Sequence, residues 1–400
     1  MSDSPAVAPT DPVWERIRCE QFPVAQTWAY FDHAAVAPLP RCAADTVREL
    51  TADFEANGHA HWSGWRKRIE VVRRLGAQLL NTSSRCVAVV RNTTEGISLV
   101  AEGLDWQRGD NVVVPDGEFP SNVYPWANLA ARGVELRRVS IQRGVVGMQQ
   151  LDAACDQRTR LVSLSWVDFA TGYRRNLADV ARVCAANRCL LFVDAIQGLG
   201  VFPLDVSDIP IDFLAADGHK WLLGPEGAGL FYVRENRLSE LRPLNVGWNS
   251  VRHAGDFANE AFDLKSSAAR YEGGTYNMAG IAALGSSLEM WSRYHMTPDD
   301  IARRLLHVVN TVCDRLLTKN SGLTLYSQRD ARPDLIGVSG HNSGIISLEY
   351  HRKSETPADC VRRCKSQHVL INQRNGRLRI SPHVYNNDAD IERLVKCLTN

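Results

Sequence analysis

The 400-residue chain is 44% hydrophobic and 23% charged, the balance of a soluble globular protein long enough for two cores. Its formal net charge of +1 gives no electrostatic footprint for nucleic acid or a membrane surface. No apolar run nears the roughly 20 residues of a membrane helix, MSDSPAVAPTDP lacks a signal-peptide core, and ten Cys without CxxC pairs or zinc spacing suit free thiols in a reducing cytoplasm.

Residues 1–25 read as an N-terminal segment whose Pro, Ser and Asp keep its start unstructured. From about 85 to 235, short apolar runs alternate with helical stretches. VAVV (87–90), NVVVP (111–115), RLVSLSW (160–166), CLLFVDA (189–195) and IDFLAAD (211–217) are predicted strands. Several are apolar throughout, as parallel strands covered on both faces are. Thr94–Leu104, Asn122–Arg132 and Leu177–Asn187 are predicted helices between them. This rhythm predicts an α/β large domain, 26–280, with a mostly parallel sheet whose strand carboxyl ends collect ligands. Helices at Ile281–Arg293 and Pro298–Lys319, then SGIISLEY, a helix at Pro357–Gln367, VLINQR, RLRISP and a helix from Asp388 predict a smaller α+β domain, 281–400. Cys360 and Cys364 fall on one face of a predicted helix, a spacing that serves packing.

Two segments carry chemistry. In LLFVDAIQGLGVFPLDV a buried apolar strand ends in Asp194, with Gln197 three residues on. A carboxylate there needs a cation or hydrogen-bond donors; a protonated pyridine nitrogen would serve, and so would the amides of a helix that Asp194 caps. In IDFLAADGHKWLLGPEGAGLFYV another apolar strand leads to Lys220, flanked by hydrophobic stretches that disfavour its ammonium form. A neutral amine attacks aldehydes; the bland reading is a surface Lys in a turn. GLG at 198–200 lacks the glycine spacing of a dinucleotide fingerprint.

Taken in order, FDHAAVAPLP (31–40), RNTTEGISLV (91–100), the Asp194 and Lys220 segments, YEGGTYN (271–277) and RISPHVYNNDADIERL (379–394) resemble the class V aminotransferase family of fold-type I pyridoxal-phosphate (PLP) enzymes. That family includes cysteine desulfurases and isopenicillin N epimerase-like proteins. The resemblance implies a fold-type I architecture, PLP held by Lys220 as a Schiff base, Asp194 on the ring nitrogen and Gln197 on the ring oxygen. It places Thr94, the Glu95 amide and His219 on the phosphate, where a helix N-terminus favours an anion. Gly274 and Thr275 would reach the phosphate from a neighbouring subunit, which implies a homodimer. Phe119 would stack on the ring, and Arg379 would grip the substrate carboxylate as a bidentate fork, with His33 also at the substrate. Ala35, His61, Trp62 and residues 245–265 are further pocket candidates.

Three departures from the desulfurase pattern bear on the reaction. Phe119 stands where a His is usual, and no Cys-bearing loop lies between Arg374 and Arg379, Cys364 being on an earlier helix. Asp217 replaces a phosphate-binding Ser or Thr and is given no role. The expectation is therefore lyase, epimerase or transaminase chemistry on an α-amino acid through a Cα carbanion, not persulfide-forming desulfuration, with EFPS and ISPHVYN closest to the epimerase-like branch. The alternatives are a cysteine desulfurase or C–S lyase, and a catalytically silent PLP-fold binding protein.

Overall fold

A computed structural model describes residues 7–318, 322–332, 334–337, 340–352 and 355–399. Seven strands form the central sheet: β1 (Val87–Val90), β2 (Asn111–Pro115), β3 (Glu135–Val139), β4 (Thr159–Ser165), β5 (Leu190–Asp194), β6 (Phe213–Asp217) and β7 (Gly229–Val233), in the order β1-β7-β6-β5-β4-β2-β3. Only β7 runs against the others. Every residue of β1, β2, β5 and β6 is buried, as the apolar runs predict, and so is every residue of β7, which was not among the predicted strands. Ser165, Asp194 and Ala215 are in register across β4, β5 and β6, so the polar ends of neighbouring strands open on one edge of the sheet.

Helix starts are set by side chains. Asn92 Oδ1 accepts the Glu95 N–H at 2.9 Å and opens the helix Thr93–Gly103. Asn176 caps Leu177–Asn187, which ends at Arg188 in the left-handed region (φ 55°). The predicted helix Asn122–Arg132 is instead three short pieces, Pro120–Asn122, Tyr124–Asn128 and Leu129–Arg132. Pro125 and the buried Asn122 side chain, which accepts from Ser163 Oγ and Trp126 Nε1, break the run. Helices Arg41–Asn57, Trp62–Leu80 and Met278–Arg293 pack together beside the sheet.

The C-terminal part has a four-stranded antiparallel sheet: β8 (Leu323–Leu325), β9 (Ile346–Tyr350), β10 (Asn372–Arg374) and β11 (Arg377–Ile380), ordered β8-β9-β11-β10. Helices Pro298–Leu316 and Pro357–Ser366 begin with capping boxes, Thr297 with Asp300 and Thr356 with Asp359, and Asp388–Thr399 closes the chain. Lys319, the expected end of the first, lies outside the described residues. The start of the chain joins this part: Ala29–Tyr30 pairs in parallel with Val369–Leu370, and Asp32 bridges to Ser381. Among the described residues no helix is long and apolar enough to cross a membrane.

Candidate active site

At the carboxyl ends of the central strands lies a cavity of about 430 Å³, lined by Asp194, Gln197, His219, Lys220, Thr94, Phe119 and Arg379 among others. Seven residues assigned from separate stretches of sequence therefore share one space. Asp194 is 3% exposed and accepts the Ile196 N–H at 3.1 Å, with no ion pair among the described residues. Burial pushes its carboxyl well above the usual range, opposed by that N–H and by the Lys220 charge. Lys220 is 9% exposed, and burial pushes its amine down against the pull of Asp194. Its Nζ lies 5.7 Å from the Phe119 ring centroid, and Phe119 is braced edge-on by Phe169. Gln197 donates to Ala34 O at 3.0 Å and accepts from Trp221 Nε1 at 2.8 Å, which fixes its amide at the cavity wall.

Arg379 is buried. Its Nη1 donates to Phe169 O at 3.0 Å, Nη2 lies 3.3 Å from Asp32 Oδ1, and Nε has no partner among the described residues. A guanidinium with an unpartnered buried N–H at a cavity is set to receive an acceptor.

Two placements differ from the sequence reading. His33 does not line the cavity: it is fully buried, with Nδ1 2.9 Å from Ser381 O and Nε2 2.8 Å from Tyr385 Oη. Its neighbours Ala34, Ala35 and Val36 form the wall instead. The Glu95 amide is taken by the Asn92 cap and its carboxylate pairs with Arg91, so the N–H groups without intrahelical acceptors at this helix start are those of Thr93 and Thr94. Gly274 and Thr275, expected to serve a neighbouring subunit's phosphate and not this one, line a separate depression with Arg91, Glu272 and Asn277. Sequence reasoning missed Ser121, which accepts from Thr94 Oγ1 at 2.8 Å, and Arg374, which also lines the cavity. An Asn or Ser at the start of a short helical piece was the available signal.

A sequence profile described as aminotransferase class-V matches residues 29–394. The chain belongs to that family. It is 30% identical to a probable cysteine desulfurase of Methanothermobacter thermautotrophicus, over 94% of this chain and 95% of that one. A cysteine desulfurase of Escherichia coli O127:H6 is 31% identical over 79% of this chain and 78% of its own. A solved complex of the cystine C–S lyase C-DES with its reaction product cysteine persulfide superimposes with a TM-score of 0.86, at 24% identity, covering 95% of this chain and 99% of that one. The chain is thus a fold-type I PLP-dependent enzyme.

The cavity fits PLP. An unpaired buried carboxylate at Asp194 suits a ring N–H, the amine of Lys220 suits an aldehyde, and free amides at a helix start suit a phosphate. The comparisons overturn one expectation. Lyase, epimerase or transaminase chemistry in place of persulfide-forming desulfuration gives way, because the relatives matched over most of the chain are named cysteine desulfurases. Phe119 and the lack of a Cys loop weighed too heavily; they describe two positions, whereas the match spans nearly all.

Proposed function

We propose that this protein is a cysteine desulfurase, breaking the Cβ–S bond of cysteine. The observation that carries the reading is the 30% identity over 94% of the chain to a relative of that name. When bound, PLP supplies an aldehyde carbon and an electron-withdrawing ring. Lys220 would hold it covalently; once released, the same amine moves the proton at the substrate Cα. Its burial-depressed basicity supports both tasks. Asp194 would keep a proton on the ring nitrogen, Phe119 would stack on the ring face and Gln197 would meet the ring oxygen. Thr93, Thr94, Ser121 and His219 would hold the phosphate. Arg379, with Arg374 beside it in the wall, takes the substrate carboxylate.

A second reading, C–S lyase, is favoured by one feature: among the described residues no cysteine lines the cavity, and Cys364 is fully buried on the helix Pro357–Ser366. One assay separates the two. Incubated with cysteine and a reductant, a desulfurase yields sulfide and alanine in equal amounts. Pyruvate and ammonia in place of alanine assign the lyase, and no product from PLP-loaded protein with either cysteine or cystine defeats both.

We further infer a homodimer in which Gly274 and Thr275 reach the partner's phosphate. A Cβ at Gly274 would meet nothing within 4 Å, and the loop is anchored by buried Glu272, which pairs with Arg73 and accepts from Val89 N–H at 2.8 Å. Unpaired thiols at all ten cysteines support a cytoplasmic location.

A further inference from the structure

Asp217 ends β6 with its carboxylate in the cavity wall. Its N–H donates to Thr93 Oγ1 at 3.0 Å, which sets it beside the helix start that offers amides to an anion. An uncompensated carboxylate there would repel a phosphate. Oδ1 accepts the Gly218 N–H at 2.7 Å, and Oδ2 lies 2.8 Å from Nδ1 of His219, close but oblique to a hydrogen bond.

We propose that Asp217 is a positioning residue for the cofactor phosphate: it holds His219 by Nδ1 and presents Nε2 to the anion as a donor. A ring that donates through both nitrogens is an imidazolium. The pair then adds no net charge to the cavity but turns its positive member toward the ligand, which is how a carboxylate can occupy a place where a hydroxyl would otherwise bond the phosphate directly. The small rotation that aligns Nδ1 with Oδ2 comes with the ligand, as hydrogen bonds in ligand-free sites commonly tighten on binding. The other charged groups in the wall are Asp194, Lys220, Arg374 and Arg379. The inference rests on the cofactor and not on the reaction, so loss of the desulfurase reading leaves it standing.

The test compares affinities for PLP and for pyridoxal, which lacks the phosphate, by absorbance titration of cofactor-resolved protein. Asp217→Asn keeps an oxygen for Nδ1 but loses the charge, and should lower the PLP-over-pyridoxal preference about tenfold. His219→Gln should do the same, and the double variant should lose little more, since the two act as one unit. An unchanged preference in Asp217→Asn, or losses that add in the double variant, would overturn the proposal. Should the variants fold poorly, ¹⁵N spectra of the wild-type holoenzyme decide alone: both His219 ring nitrogens protonated supports it, and a neutral ring refutes it.

Discussion

His33 and His383 lie side by side in the core, their ring centroids 5.0 Å apart. His383 is fully buried against Trp221 and Trp291, with neither ring nitrogen partnered among the described residues. Burial pushes His33 from 6.5 to about 4 and His383 well below its ordinary value. The unfolded chain therefore takes up protons near pH 6.5 that the native state refuses. Stability is whole above that pH and falls as pH drops toward 4, by about 3 kcal/mol for His33 alone. Urea midpoints at pH 7 and pH 5 should differ accordingly. His383→Phe, which removes two unsatisfied polar atoms, should raise the midpoint and flatten the pH slope; an unchanged slope contradicts this account. At this scale, Asp194 and Lys220 were legible because a charged residue ending an apolar run contradicts its surroundings. His33 was misplaced because successive residues of an extended segment face opposite ways: Asp32 turns to Arg379 and Asn372, and His33 to the core. Asp32 itself gave no signal, since its partner lies 347 positions away.

The helix Thr93–Gly103 aims its N-terminus at the cavity because Gly96 lets it lie close on the sheet. A Cβ at Gly96 would stand 2.6 Å from the Ala215 Cβ and 3.3 Å from Phe231. Gly96→Ala should lift the helix, cost about 1–3 kcal/mol and weaken PLP binding together with it. The check is a urea midpoint and a PLP titration on the same variant; normal values in both would remove the helix from this role. Buried strands and capped helices were readable from pattern, as at Leu177–Asn187, where the predicted bounds coincide with the observed ones. The edge strand Glu135–Val139 was not, because its exposed, charged residues resemble a loop and only its pairing with β2 makes it a strand. The antiparallel β7 was equally silent, as an apolar run carries no direction.

For the whole molecule, the open Gly274–Thr275 tip requires a second copy if it is to meet a phosphate. Light scattering should give twice the protomer mass. Mixing Lys220→Ala with a Thr275→Ala, Gly274 deletion variant should restore part of the activity in hybrid dimers, which carry one site whose contributing residues are all intact. A monomer with full PLP affinity would dismiss the shared site. The α/β character and the smaller C-terminal sheet were legible in the changing rhythm of the sequence. The seam between the chain's two ends was not, since Ala29–Tyr30 and Val369–Leu370 meet only in three dimensions.

That seam has a consequence for the order in which the protein comes into being. Asp32 leaves the ribosome early, and Arg379, with the strand beside it, among the last. The carboxylate grip proposed for Arg379 would thus assemble only after synthesis is nearly complete, and a nascent chain holding every residue of the β1–β7 sheet would still lack it.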